Sequence, residues 1–191
     1  MIRKDAKSTS PKTGDKCGKL IAALMSADIG LMNVIEQQLS EEFGVIESVS
    51  DLFPFTYTDY YTPEMGAQLQ KKFLSFAEMI DVARLPAIKH LTNAVEAEFA
   101  LDGKRRINID PGYVTHAQMV LATTKDYSHR IYLGQGIYAE LTYLCKQKAF
   151  HLLEWTYPDY REPFARAFFQ KVRETYLQQM RTGSAALRGG E

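Results

Sequence analysis

The sequence predicts an α+β fold: a mainly antiparallel sheet with helices packed on it, ferredoxin-like in its first half. Three observations point there. Short apolar or alternating runs bounded by Gly, Pro and Asp recur along the chain, the pattern of β-strands. Stretches with helical periodicity interrupt them, with recognisable start and stop signals. Several strands follow one another directly, and Gly134-Gln135-Gly136 joins two of them as a hairpin.

Leu20 to Met25 is a continuous apolar run suited to a buried strand. Asp28 caps a helix that carries Met32, Ile35, Leu39 and Phe43 on one face, and Gly44 closes it. Residues 45–57 read as extended and broken by Pro54, with another strand over 73–76. A second helix has Pro86 in its first turn and Leu85, Ile88, Leu91, Val95 and Phe99 in register, ending at Asp102-Gly103. A short strand over 106–109 is expected to stop at the turn Asp110-Pro111-Gly112. Thr115 and Gln118 have capping-box spacing, which predicts a short helix over 116–122. Strands follow over 130–133 and 137–145, the second with Ile137, Ala139, Leu141 and Tyr143 on one face and Tyr138, Glu140 and Thr142 on the other. A third strand over 149–153 pairs after the Lys146-Gln147-Lys148 turn. The last helix starts near Pro163 and carries Phe164, Phe168, Val172 and Tyr176 at four-residue steps.

A chain of 191 residues, 46% hydrophobic and 24% charged, builds its own core and is neither disordered nor collagen-like. Its 23 basic and 23 acidic residues cancel, but unevenly. Residues 1–18 read as a flexible basic leader, 19–181 as a single α+β domain and 182–191 as a flexible tail. The stretch 20–180 carries a net −5, so nucleic acid ranks low among partners. The start of the chain lacks the apolar core of a signal peptide, and nowhere do eighteen apolar residues run together. Cys17 and Cys145 suggest no disulfide framework, which makes the cytoplasm the expected compartment and no membrane a partner.

Three segments carry polar chemistry. Gly14 to Leu20 has three residues between its glycines where a phosphate loop needs four, and Leu20 stands where Ser or Thr would hold magnesium. It is rejected. Lys104, Arg105 and Arg106, with Asn108 and Asp110, place guanidinium forks beside a Pro-Gly turn, a group suited to phosphate or carboxylate. Thr123 to Arg130 is the richest loop: His129 can act as acid or base with Asp126 or Glu140 as its orienter, and Lys125 and Arg130 can neutralise an anion. A guanine-specifying Asn/Thr-Lys-x-Asp motif is not met there, since Tyr127 holds the aspartate position. Thr56 to Tyr60 and Thr156 to Tyr160 both read T-Y-x-D-Y. Tyrosine faces stack on planar rings while a carboxylate accepts from an amino edge, so Asp59, Tyr60, Tyr157 and Asp159 join the candidate binding residues with Tyr127. His90, His116 and His151 show no ligand spacing, so neither a metal nor a cofactor is expected.

Residues 102–106, 108–113, 121–136 and 155–160, together with Phe53-Pro54-Phe55 and Thr58 to Tyr61, resemble an uncharacterised bacterial family, the domain of unknown function 4416. The resemblance covers roughly residues 19–178. Such proteins are often labelled GTP-binding, so the resemblance implies GTP as a ligand; it carries over no catalytic residue. The residues themselves favour a cytoplasmic protein that binds a small anionic, nucleotide-like molecule. The alternatives are an acid–base enzyme using His129 on a phosphorylated or carboxylated substrate, and a non-catalytic module whose tyrosine-rich rim meets another protein.

Overall fold

The computed structural model describes residues 16–188. Their strands are β1 (Cys17–Ser26), β2 (Ile46–Val49), β3 (Phe53–Pro54), β4 (Gln70–Asp81), β5 (Asn108–Val114), β6 (Gln118–Thr123), β7 (Arg130–Gly134), β8 (Ile137–Lys146) and β9 (Ala149–Leu152). They form one sheet in the order β2-β4-β1-β5-β6-β8-β7, with β3 added to β4 and β9 to β8. Every pairing is antiparallel. The helices are α1 (Ile29–Phe43), α2 (Thr62–Met65), α3 (Leu85–Glu98), α4 (Pro158–Arg161) and α5 (Pro163–Arg188). Of the expected leader, residues 1–15 lie outside the described part, while Cys17 and Gly18 open β1. The expected tail is entered by α5 as far as Arg188, and 189–191 lie outside.

The sheet is covered on both faces, which explains why β1 is apolar throughout. Leu20, Ala22 and Leu24 pack with Met32, Ile35 and Leu39 of α1 and Leu85, Ile88 and Val95 of α3. The alternate residues Ile21 and Ala23 pack with Phe73, Tyr143 and the α5 residues Ala165, Phe169 and Val172. A strand buried on both faces loses its polar alternation. Asp28 caps α1 by accepting from the Leu31 amide at 2.9 Å, and Gly44 ends the helix at φ 89°.

Four local expectations are corrected. Asp110-Pro111-Gly112 is no turn but the middle of β5, opposite Ala23, Ala22 and Ile21 of β1. Gly112 is needed there because a Cβ would overlap the Val120 carbonyl oxygen of β6. The β5–β6 ladder begins only at Gly112, so Pro111 precedes the part of that ladder that would need its missing N–H. Residues 116–122 form no helix. The Thr115 hydroxyl accepts from the Ala117 and Gln118 amides, both at 3.3 Å, and closes a hairpin turn into β6. Tyr143 does not share a face with Ile137, Ala139 and Leu141. The register between β6 and β8 shifts after Tyr143, and the bulge turns its ring to the α5 side. On α5 the buried stripe is Ala165, Phe169, Val172 and Tyr176, with Phe164 exposed and Phe168 half-buried. Strict four-residue steps drift about 40° each on a helix of 3.6 residues per turn, so the stripe alternates steps of four and three.

Candidate functional site

The short β5–β6 ladder creates the site. Gly112 to Val114 pair with Leu121 to Met119, but below that point the strands part. Asn108 to Pro111 continue along β1 alone, and Ala122 and Thr123 along β8 alone. The gap opens into a cleft of about 610 Å³. Its walls come from β4, β5, β6, β8, α3, α4 and the 55–61 loop.

The two T-Y-x-D-Y segments, a hundred residues apart, converge on it: Tyr57, Thr58 and Tyr60 from the first, Tyr157, Asp159 and Tyr160 from the second. Asp159 is fully enclosed and accepts from Lys71 Nζ at 2.6 Å, and that ammonium lies 4.8 Å from the centre of the Tyr160 ring. Asp110 accepts from Asn108 Nδ2 at 2.7 Å and Lys89 Nζ at 3.3 Å. Burial works against its charge, but the Lys89 and Lys71 ammoniums outweigh that and hold it below the usual carboxylate range. Arg105 forks onto Glu64 at 2.8 and 2.7 Å and donates to Asn108 Oδ1 at 3.0 Å.

Glu140, on β8, lines the cleft and is almost entirely buried. Its Oε2 takes Arg130 Nε at 2.9 Å, Arg130 Nη2 at 2.8 Å and a His129 Nε2 contact at 3.2 Å. Arg130 Nη2 also donates to the Tyr157 hydroxyl at 2.7 Å. Burial, then the neighbouring Glu140 charge, pushes the Tyr157 phenol up to about 12. His129 stacks on Trp155 with ring centres 5.0 Å apart and stands behind Glu140, not among the lining residues.

Of the residues singled out by sequence, the cleft therefore gathers Tyr60, Arg105, Asn108, Asp110, Lys125, Glu140, Tyr157 and Asp159. Arg130 and His129 support it from behind Glu140. Arg106 pairs instead with Asp28 at 2.7 Å on the exposed start of α1. Lys104 belongs to the exposed 101–104 turn, Asp59 accepts the Thr62 amide outside the cleft, and Tyr127 and Asp126 sit on the exposed loop before β7. Lys71, Lys89 and Glu96 were missed. Lys89 and Glu96 lie inside a helix pattern, where a single charge carries no local signal, and Lys71 belongs to the Lys71-Lys72 step just before the strand expected over 73–76. Four cations and four carboxylates line the cleft in all. Among the described residues Lys125 is the lining cation without a salt bridge; its ammonium donates to Tyr60 Oη at 3.2 Å and lies 4.3 Å from that ring's centre.

Glu96 offers a measurable electrostatic check. Burial raises its pKa above the ordinary glutamate value of 4.5, against the pull of Lys89 and the Ile109 amide, which donates to Oε1 at 2.6 Å. The unfolded chain then releases this proton first as pH rises, so the Glu96 contribution to stability falls from the ordinary value upward through the folded one. Glu96→Gln is expected to gain on the wild type as the pH rises from 4 to 7. Denaturant melts at the two pH values check this, and a difference independent of pH would overturn it.

Residues 16–176 match the domain of unknown function 4416 family, and the chain belongs to it. No curated protein and no solved structure matches the chain. Among the described residues, no helix is long and apolar enough to cross a membrane, and no three His, Cys, Asp or Glu side chains converge as a metal set.

Proposed function

We propose that this chain binds a small anionic, nucleotide-like molecule in the cleft between β5 and β6, its ring against the tyrosines and its anionic group at Lys125. The observation that carries the reading is the convergence of both T-Y-x-D-Y segments with Lys125 on one cavity of about 610 Å³, a size suited to such a ligand. Charge balance along the walls limits the anionic part of the ligand. Lys71, Lys89 and Arg105 are already paired with carboxylates, which leaves Lys125 for one anionic group.

A thermal-shift screen against nucleotides, sugar phosphates and organic acids tests this. A ligand at a hundred times its Kd adds about 2.7 kcal/mol, or about 5–10 °C for a chain of this size. The shift is expected with a nucleotide and should be lost in Lys125→Ala, an exposed position where the change spares the core. No shift across the panel, or one untouched by Lys125→Ala, would overturn the reading.

Acid–base chemistry at the same cleft is a second reading, favoured by the 3.2 Å contact of His129 with Glu140. In it Glu140 faces the substrate and His129 orients the carboxylate, the reverse of the roles read from the sequence.

A further inference from the structure

Resting on the cleft reading above, we infer that Glu140 recognises an amino-bearing edge of the bound ring, so that the ligand is an aminopurine-type nucleotide rather than one presenting only carbonyl or C–H at that position. Oε1 of Glu140 is buried and has no hydrogen-bond partner among the described residues, although the residue lines the cleft. The other oxygen is fully engaged by Arg130 and His129. A carboxylate held on a guanidinium accepts hydrogen bonds and does not donate them. The group that completes it must therefore bring an N–H or O–H.

The surroundings narrow the donor to one on a flat ring. Tyr157 flanks Glu140 both directly, its hydroxyl interacting with the carboxylate, and through their shared partner Arg130, whose Nη2 reaches Tyr157 Oη at 2.7 Å. Tyr160, also a lining residue, is buried with its hydroxyl unpartnered too. Two unsatisfied buried polar atoms in one aromatic-walled cleft are uncommon in native structures and point to groups that a ligand satisfies. Tyr160 Oη can donate or accept, so it tolerates either kind of ring atom. Glu140 does not, and it is the residue that discriminates.

Calorimetric titration of the full chain with two nucleotide pairs tests this. Guanosine and inosine 5′-monophosphates differ by one exocyclic amine, as do adenosine and purine-riboside 5′-monophosphates. The amino-bearing member of at least one pair is expected to bind about 10- to 100-fold tighter. In Glu140→Gln the amide oxygen stays on Arg130 and His129 and the NH₂ turns to the cleft, so the preference should vanish or reverse. Equal affinities within both pairs overturn the inference while leaving the cleft reading intact. So does a preference that survives in folded Glu140→Gln. No binding of any nucleotide overturns both. If the variant does not fold, the wild-type comparison decides alone, a clear amino preference supporting the inference.

Discussion

Asp159→Ala is expected to destabilise the protein by about 3 kcal/mol in a denaturant titration, the lower end of the range for a broken buried ion pair. Both partners are enclosed, with side chains 7% exposed for Lys71 and 3% for Asp159 and a separation of 2.6 Å. Removing the carboxylate leaves an ammonium among the rings of Phe55, Phe73 and Tyr160, at 5.3, 5.8 and 4.8 Å. Ring faces offset part of that, and Asp110 lies near enough for Lys71 to lower its pKa, which is why the upper end of the range is not reached. The paired change Lys71→Met with Asp159→Leu removes both charges and should recover most of the loss, because the desolvation cost of each ion disappears along with the attraction. Added salt should alter the single-variant loss little, since the pair is shielded from counterions. A loss below about 1 kcal/mol would show that Lys71 swings into cleft water instead of remaining buried.

That pair also marks where local pattern stops informing. Leu20 to Met25 is legible because a strand covered by α1 and α3 on one side and α5 on the other needs apolar residues at every position. The Asp28 cap and Gly44 stop of α1 are legible because capping is settled within four residues. The Gly134-Gln135-Gly136 hairpin is legible for the same local reason. Asp110-Pro111-Gly112 is misread because Pro and Gly carry two meanings. Here they mark a close strand approach at Gly112 and the start of a ladder, and only the position of β6 distinguishes that from a turn. The bulge that turns Tyr143 toward α5 is likewise invisible in an alternating sequence, since one extra residue changes faces without changing composition.

The cleft follows the same division. Residues that sit in polar loops or at strand ends, such as Arg105, Lys125 and Tyr157, stand out in sequence because nothing in the local pattern needs them. Lys71, Lys89 and Glu96 do not stand out. Their place on the cleft wall depends on β5 and β6 parting beyond Gly112, an arrangement set by contacts far apart in the chain. Arg106 shows the converse. A guanidinium that looks available in the sequence closes onto Asp28, 78 positions earlier in the chain, while its neighbours Arg105 and Asn108 face the cleft.

Phe73→Ala should cost about 3–5 kcal/mol, the largest loss expected of any single core truncation in the α5 layer. The side chain is fully buried in the first half of β4, with ring centres of Phe169, Tyr160, Phe53 and Phe168 at 4.9, 5.1, 5.3 and 6.0 Å. Those rings belong to β3, α4 and α5, so no small shift of one element refills the space. The cost combines lost transfer energy with the cavity that remains. At about 2–4 °C per kcal/mol for a chain of this length, the melting temperature should fall by at least about 6 °C. Phe73→Leu keeps much of the volume and should lose only about 1–2 kcal/mol. Because Tyr160 rests on Phe73 and also lines the cleft, folded Phe73→Ala should also bind any cleft ligand more weakly, whereas truncating Leu39 in the opposite layer should lower stability without that effect. Equal weakening by both truncations would show that cleft binding follows global stability and not the Tyr160 support.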